Sequence, residues 1–571
     1  MEIPNEGQSF YHRFRGLFLR DGSGRLLHCT RPTSGDSRAI MVAGGPEISA
    51  TEDFFVRLIM EQAELCVHTR PIQQPSSPDS STKQIVDLFD SFLRYHGKDD
   101  KWAHIGREYF AERVQHFTAQ GAAVEFCLPA FPCKSSNRDK VTGPDPDRGE
   151  EIALERLHDF VEAVEKVYEP GVKLWIISDG HVFSDCIGVD DAAVDAYGEK
   201  LRAMNHEIGL RRGNPHRVRF KSLVDLFQLA VVEPHMGLSG LARRLDVPDI
   251  EHHIDTQVTQ EAELCRRILM AGCGPKRSAV RAKIESRDGT ITALYRGFSR
   301  FMLEDLEHLP HAQMMSKSQQ KKLSAKVAFE MILRNQAYSN LVEMLFPNHI
   351  RLSIHAHNNA GPKFGIHLFD PTRVRAVRTL SPRGELMASL DLLHIPTPWH
   401  NSVVQLADSG VILVTKAKLA RAALATGRMT GGLVKTEQGR AFFELQRHTM
   451  PTPTLELAVA LESATEANSR SSKGTKEDTD GGGDGDVTMA VTAAGMVEMT
   501  DKAVPERRAI LSEKSDAVTR QANTGSLSTV TVVPEASKHD GWLGRLRWIL
   551  SLLWPGARLL NALNLTQPAQ N

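Results

Sequence analysis

Residues 173–190 of the chain read KLWIISDGHVFSDCIGVD, and this stretch decides the predicted fold. It opens with an apolar run typical of a buried strand, and Gly180 permits a tight turn directly behind that strand. Three groups that can bind or move protons crowd into the turn, namely Asp179, His181 and Asp185. Ligands of open α/β sheets bind at the carboxyl ends of the strands. We therefore predict that these residues supply catalytic acid and base groups, whereas a plain turn would explain Asp179 alone.

The segments around this stretch alternate between strand and helix patterns. An apolar run at 123–128 predicts a strand, and apolar residues at helical spacing predict a helix over 150–168. A further helix is expected from Asp190, its predicted N-cap, to Met204. This order of elements favours βαβ units. The predicted fold class is therefore α/β, with a Rossmann-like, largely parallel sheet and flanking helices.

Helices are expected to dominate the middle of the chain. Residues 206–315 predict a helical insertion, and residues 316–345 form the clearest helix, because their apolar side chains share one stripe. Ser316 and Gln319 are placed for a capping box at the start of that helix. Behind it, residues 351–368 contain two strand-like runs around the turn-forming sequence NNAGP, which predicts a hairpin.

Polar side chains follow the other strand candidates as well. Lysines and asparagines suit a phosphate or carboxylate ligand, and a histidine beside acids suits proton transfer. If the strands are neighbours in one sheet, their loops meet in one pocket. We predict that His355 is catalytic. The predicted substrate-binding residues are Lys134, Asn137, Lys140, Arg351, His357, Asn358 and Lys363.

A metal centre is the alternative explanation for the two neighbouring histidines. His355 and His357 on one strand would place both imidazoles on the same face, and Asp179 would complete a two-His-one-carboxylate set. Such a pair also arises often by chance. We therefore predict no bound metal, and the glycine-rich signatures of nucleotide cofactors are absent from the sequence. A metal-dependent hydrolase or oxygenase remains the alternative enzyme class.

The composition excludes several classes of protein. Acids and bases nearly cancel at a formal net charge of -1, whereas proteins that bind nucleic acid usually carry a basic face. Seven scattered cysteines without a CxxC pair indicate reduced thiols. The sequence shows neither a signal peptide nor an apolar run of about 18 residues that could span a bilayer. We expect a cytoplasmic protein.

The sequence predicts four regions. They are an N-terminal extension at 1–84, a catalytic domain at 85–457, a linker at 458–540 and a Trp-, Leu- and Arg-rich segment at 541–571. The linker is of low complexity and too poor in apolar residues to order itself, so we predict a disordered C-terminal tail. Within the last segment, Trp542–Leu563 could make weak contact with a membrane surface or a protein partner.

Six segments of the chain resemble the pyoverdine/dityrosine biosynthesis family, the isocyanide (isonitrile) synthases. They occur in the order of that family and fall between Ile85 and Leu457. None of them is a generic motif, so the resemblance is specific. The segments are LPAFPCKSSNRDKVTGPDPDRGE (128–150), IISDGHVFSDCIGVDD (176–191), YRGFSRF (295–301), SKSQQKKLSAKVAFEMILRNQAYSNLV (316–342), RLSIHAHNNAGPKFGIHL (351–368) and TPWHNS (397–402).

The resemblance implies a Rossmann-like core and conversion of the α-amino group of an amino acid, usually tyrosine or tryptophan, to an isocyanide. It implies ribulose 5-phosphate as carbon donor and neither a metal nor a nicotinamide. It also implies a role in secondary metabolism or in the dityrosine of a spore wall. Many fungal relatives carry a fused iron-dependent oxygenase domain. No HxD…H pattern follows Leu457 here, so a separate oxidase is expected. A non-catalytic relative acting as a scaffold is the remaining alternative.

Overall fold

The computed structural model describes residues 10–11, 49–62, 79–95, 99–229, 234–346, 348–355, 357–389 and 397–447. The predicted linker at 458–540 and the segment Trp542–Leu563 lie outside the described residues, as does most of the predicted N-terminal extension. In the part of the chain that is described, no helix is both long enough and apolar enough to cross a membrane.

A parallel sheet organises the fold, as predicted. Its five strands, counted over the described residues, run in the order β3-β2-β1-β4-β5, and every neighbouring pair is parallel. Since β1 lies at the centre with β2 on one side and β4 on the other, the chain reverses its winding direction between β1 and β4. The strands are β1 Val124–Pro129, β2 Val172–Ile177, β3 Val218–Lys221, β4 Ile350–Ser353 and β5 Lys363–Gly365.

Helices cover both faces of this sheet. Phe126 of β1 packs on Phe110 and Phe160 on one face. On the other face, Arg351 of β4 donates to the carbonyl of Ser339. The described helices are α1 Ala50–Gln62, α2 Ser80–Asp90, α3 Arg107–Thr118, α4 Arg148–Glu165, α5 Gly180–Phe183, α6 Asp191–Arg211, α7 Leu223–Phe227, α8 Leu238–Leu245, α9 Gln260–Cys273, α10 Arg277–Glu285, α11 Gly289–Leu306, α12 Pro310–Gln313, α13 Lys317–Leu345 and α14 Ala417–Ala425.

Local signals in the sequence explain where several helices begin. Ser316 and Gln319 form the predicted capping box of α13, and Asp147 with Glu150 forms a second capping box at α4. Asp190 is the N-cap of α6, although its carboxylate accepts from the backbone of Gln257 in a distant loop. The predicted helical insertion is confirmed by helices α8 to α12.

The predicted hairpin at 351–368 is wrong. Strands β4 and β5 pair in parallel, with Arg351 opposite Lys363. The turn sequence between them is instead fixed by Asn359, whose side chain donates to the carbonyl of Arg94 and to Asp100 and accepts from the backbone of Gly365. Because both strands are short, nine intervening residues suffice to return the chain to the start of the sheet.

A second, mixed sheet was not predicted, apart from its strand at 403–406. Its strands run in the order β10-β11-β8-β9-β6-β7. It is joined to the loop behind β1, where Ser135 donates from its backbone to Trp399 and Lys140 accepts from Ala417. The strands are β6 Val374–Leu380, β7 Leu386–Ser389, β8 Ser402–Leu406, β9 Ile412–Thr415, β10 Met429–Lys435 and β11 Ala441–Arg447.

Candidate active site

The loops behind β1 and β2 touch at the carboxyl edge of the parallel sheet. The hydroxyl of Ser178 donates to the carbonyl of Phe131 at 3.0 Å. A Cβ at Gly180 would lie 2.3 Å from the carbonyl oxygen of Pro132, so only glycine allows this approach. The edge lies beside the point where the winding direction reverses, which is where open α/β sheets bind their ligands. We call this place the crevice and define it by Asp179, Tyr338 and the residues that follow β4.

Asp179 is the carboxyl of the crevice that lacks a charged partner among the described residues. It follows β2 directly and is only partly covered, yet its Oδ1 is buried and has no hydrogen-bond partner in the described part of the chain. Burial raises the pKa of Asp179 to about 7. A carboxyl with this pKa is populated in both protonation states near neutral pH, which is what a group that both takes and returns a proton requires.

His181 and Asp185, the other two predicted catalytic groups, are held by protein. His181 is almost fully buried; its Nε2 lies 3.0 Å from the exposed carboxylate of Asp195, and its Nδ1 has no hydrogen-bond partner among the described residues. Asp185 is buried between Arg334, which donates to its Oδ2 at 2.9 Å, and His252, whose Nδ1 lies 2.9 Å away. Despite burial, which opposes the charged form, these partners hold the pKa of Asp185 well below its usual range. Asp185 therefore remains ionised and anchors the loop.

The loop behind β1 places two of its three predicted binding residues in internal ion pairs. The Nζ of Lys134 lies 2.9 Å from Asp147, 2.8 Å from Glu150 and 2.8 Å from the carbonyl of Pro398, so all three of its hydrogens have acceptors. Burial opposes its charge, but the two carboxylates raise the pKa of Lys134. This lysine joins the start of α4 to the second sheet.

Lys140 and Asn137 face helix α11. The buried Nζ of Lys140 lies 2.7 Å from Asp305, 3.3 Å from Glu304 and 4.6 Å from the centre of the Phe301 ring. The amide of Asn137 donates to the carbonyl of Glu304 at 3.1 Å. These residues connect the loop to α11 and carry no net positive charge that a phosphate could use.

Arg351 and Lys363 form the available cationic pair of the sheet. They lie opposite each other on β4 and β5, and neither makes an ion pair within 4.0 Å among the described residues, although the charge of Glu343 acts on Lys363. Both contact Ser339 of α13, Arg351 through the carbonyl at 3.1 Å and Lys363 through the hydroxyl at 3.2 Å. Burial and the neighbouring charge of Arg351 lower the pKa of Lys363 to about 8. A bound anion would relieve this repulsion.

The histidines behind β4 do not share a metal-binding arrangement with Asp179. His355 is exposed, whereas the Nε2 of His357 lies 2.9 Å from the hydroxyl of Ser353. Among the described residues, the one group of three with ligand atoms within 4.8 Å is elsewhere, and it contains Glu330, which Arg277 already neutralises.

His355 and Asn358 have contrasting surroundings. Although His355 is exposed, partial desolvation of its ring and the charges of Arg94 and Lys363 lower its pKa below the ordinary value, so its imidazole is neutral at neutral pH. Asn358 serves the turn: its carbonyl accepts from the backbone of Lys101 and its side chain accepts from Ala360.

The sequence did not identify two polar residues of helix α13 that contact β2 and the loop behind it. Tyr338 of α13 donates to the carbonyl of Ile177 at 2.9 Å, at the carboxyl end of β2. Arg334, four residues earlier, holds Asp185. The i, i+4 spacing of these two residues on the apolar stripe of α13 was the available signal, because polar groups on a buried face need partners.

The chain resembles several known proteins. The sequence model described as pyoverdine/dityrosine biosynthesis protein matches residues 114–427, more than half of the chain. The chain is 42% identical to the spore wall maturation protein DIT1 of Saccharomyces cerevisiae over 394 residues, which cover 66% of this chain and 69% of that protein. It is 31% identical to the L-tyrosine isonitrile synthase of Pseudomonas aeruginosa over 302 residues, which cover 53% of this chain and 75% of that protein.

Two further relatives were found. The L-tryptophan isonitrile synthase AmbI2 of Fischerella ambigua is 30% identical over 294 residues, which cover 51% of this chain and 71% of that protein. The crystal structure of the PvcA protein from Pseudomonas aeruginosa superposes with a TM-score of 0.49 at 25% identity, over 64% of this chain and 99% of that chain. The match over residues 114–427 and the likeness to DIT1 lead to one conclusion: the chain belongs to the pyoverdine/dityrosine biosynthesis protein family.

Proposed function

We propose that this chain converts the α-amino group of an aromatic amino acid, tyrosine or tryptophan, to an isocyanide, with ribulose 5-phosphate as the carbon donor. The product would enter secondary metabolism or the dityrosine of a spore wall, and a separate oxidase would act on it. The observation that carries this proposal is Asp179, an acid with one unpartnered buried oxygen and a pKa of about 7, behind β2 at the carboxyl edge of the sheet. Family membership supplies the reaction class.

Asp179 suits the proton transfers of this reaction. An amino acid arrives as an ammonium ion and must lose a proton before its nitrogen can attack a ketone. The adduct must then gain a proton where it loses water. One carboxyl with a pKa of about 7 can take the first proton and return it, because both of its forms are populated at neutral pH. His355, a neutral imidazole in the same crevice, is proposed as the second acid/base group.

Arg351 and Lys363 are proposed to bind the phosphate of the sugar. A phosphate carries close to two negative charges near neutral pH and must be matched by cations if it leaves water. The two side chains lie on adjacent strands without a carboxylate partner among the described residues. We assign Lys134, Asn137 and Lys140 to holding the loop behind β1, because their charges and amides are already engaged. His357 and Asn358 remain candidates for substrate contact.

The direct experiment is turnover with each amino acid in turn. Purified protein is incubated with ribulose 5-phosphate and tyrosine, tryptophan or another amino acid, and the isocyanide is detected by mass. We expect an isocyanide from an aromatic amino acid and none when the sugar phosphate is omitted. Turnover that is absent with every amino acid, from a folded protein, would contradict the proposal. Metal analysis of the same sample tests the metal-dependent alternative.

A further inference from the structure

The helical insertion and the helix that follows it carry an excess of positive charge. Residues 276–300, which contain α10 and most of α11, hold seven lysines and arginines against two acids. Residues 317–326, the first ten residues of α13, hold four lysines and no acid. The whole chain has a formal net charge of -1, so acids elsewhere in the sequence balance this charge.

Four of these basic side chains lie around one aromatic ring. Arg277 and Arg281 of α10 lie over the ring of Phe329 of α13, at 5.4 and 5.6 Å from its centre. Lys322 and Lys326 precede Phe329 by seven and three residues, a spacing that places all three on the same side of α13. We call the surface formed by these two arginines and two lysines the basic face.

Most of the charge on the basic face is unmatched. Arg277 pairs with the buried Glu330 and lies 3.7 Å from Glu251. The other three basic residues of the face are exposed and make no ion pair among the described residues. On each of the two helices the basic residues are spaced i, i+4, and like charges at that spacing repel each other. A bound polyanion would relieve this repulsion.

The chain itself contains a stretch of matching charge. Residues 477–486 read EDTDGGGDGD, with five acids and no base in ten positions, and we call them the acidic stretch. It lies outside the described residues, 30 positions beyond the end of β11 at Arg447. A connector of that length can span roughly 100 Å, about three times the diameter of a small domain. The acidic stretch can therefore reach the basic face.

Two arguments favour the acidic stretch over a polyanion from solution. Because it belongs to the same chain, its concentration at the basic face does not depend on the concentration of the protein. Nucleic acid is disfavoured by the overall charge of -1, since proteins that bind it are usually basic.

We propose that the acidic stretch binds to the basic face of its own chain and covers that face against other polyanions. The proposal goes beyond isocyanide formation and does not depend on it. The contact is electrostatic between exposed groups, so it weakens as salt is added. The distance over which such charges interact falls from about 10 Å at 0.1 M salt to about 3 Å at 1 M.

Zero-length cross-linking of the full-length protein tests the contact directly. A carbodiimide joins a lysine amine to a carboxylate that touches it, and mass spectrometry identifies the pair. We expect Lys322 or Lys326 joined to an acid of 477–486 in the monomer fraction at 0.1 M salt, with most of this product lost at 1 M. Lys435 is the matched control, because it is exposed on β10 and lies nearer in sequence to the acidic stretch.

Retention on immobilised heparin, a polyanion, tests whether the acidic stretch covers the basic face. One full-length variant has the five acids neutralised, and it should elute at higher salt than the wild type. The same five changes should have a smaller effect when the basic face is neutralised as well, and comparing the two effects removes the contribution of net charge. The changes are Glu477→Gln, Asp478→Asn, Asp480→Asn, Asp484→Asn and Asp486→Asn in the stretch, and Arg281→Gln, Lys322→Gln and Lys326→Gln on the face.

Three results would overturn the proposal. The first is a folded protein in which Lys322 and Lys326 form no product with the acidic stretch, or no more of it than Lys435 does. The second is a product found in cross-linked dimers alone, which would place the acidic stretch of a second copy on the face. The third is an equal shift on heparin with and without the basic face. The three substituted residues of the face are exposed, so the variants are expected to fold.

Discussion

The parallel sheet and the loops behind it contain two regions that differ in how their charges are matched, which we call the locked side and the open side. On the locked side, Lys134, Lys140 and Asp185 are buried and engaged with opposite charges from distant helices. On the open side, Asp179 behind β2 and the pair Arg351–Lys363, near the start of β4 and β5, make no ion pair within 4.0 Å among the described residues. Both sides contain acids and lysines, so the presence or absence of a partner of opposite charge distinguishes structural groups from candidates for chemistry.

The difference shows in the pKa values. Partners on the locked side push the pKa of Asp185 down and that of Lys134 up, which stabilises the charged forms. On the open side, burial without a partner brings Asp179 to about 7 and Lys363 to about 8. Groups that titrate near neutral pH can exchange protons or gain from a bound anion, whereas the locked groups cannot.

The largest effect is expected from Asp179→Asn. Loss of a positioned acid/base group usually lowers the rate by about 10²–10⁴-fold, and the isosteric amide leaves the loop intact. Steady-state kinetics of isocyanide formation give this number. Asp249→Asn removes an exposed carboxylate that pairs with Arg267 and serves as the control. Turnover of the Asp179 variant at the wild-type rate would contradict the role of Asp179 as the acid/base group of the reaction.

On the locked side, Asp185→Ala should act on stability. Removing one partner of a buried ion pair leaves Arg334 uncompensated and costs about 3–5 kcal/mol in the free energy of unfolding. Urea denaturation measures this loss. Asp145→Ala breaks an exposed pair with Lys200 and should cost less than about 1 kcal/mol. Equal stability of the two variants would show that Asp185 is not an anchor.

Lys363 and Lys134 should differ in substrate binding. Lys363→Ala is expected to weaken the binding of ribulose 5-phosphate by about 10- to 150-fold, since a hydrogen bond to a charged group is lost. Lys134→Ala should lower stability but leave the affinity of the folded fraction unchanged. Calorimetry with the sugar phosphate, at a temperature where both variants are folded, compares them. A weaker affinity in the Lys134 variant alone would reverse the assignment.

The smallest effect concerns pH and stability. The pKa of Asp179 is raised to about 7 in the folded protein, so between about pH 4 and pH 7 the folded state holds a proton that the unfolded state lacks. Stability therefore falls as pH rises through this window. Asp179→Asn should abolish that dependence, so the variant gains roughly 1–3 kcal/mol over the wild type between pH 5 and pH 8. Denaturation at several pH values gives the difference, and parallel curves would contradict the raised pKa.

Local patterns predicted much of the fold. The apolar run before Asp179 and the capping box at Ser316 identified β2 and α13, because these signals depend on neighbouring residues. The pairing of β4 with β5 was mispredicted, since the side chain of Asn359 bonds to Arg94, 265 residues away, and overrides the turn signal. The second sheet was mostly missed; two of its five pairings, β11 with β8 and β9 with β6, join strands that are not consecutive in the sequence.

The site was predictable in position but not in the state of its charges. Asp179 follows a buried strand. The rule that open α/β sheets bind their ligands at the carboxyl ends of the strands was enough to identify it. Whether a charged residue is locked or open depends on partners of opposite charge far along the chain. Asp305 lies 165 residues beyond Lys140, and Arg334 lies 149 residues beyond Asp185. No sequence pattern joins such pairs, so Lys134 and Lys363 looked equivalent until the structure showed their partners.

The most direct test is a crystal structure of the protein with ribulose 5-phosphate bound. The account predicts the phosphate within hydrogen-bond distance of Lys363 or Arg351, with the carbon chain running toward Asp179. A phosphate held by Lys134 or Lys140, or bound away from both Arg351 and Lys363, would contradict it.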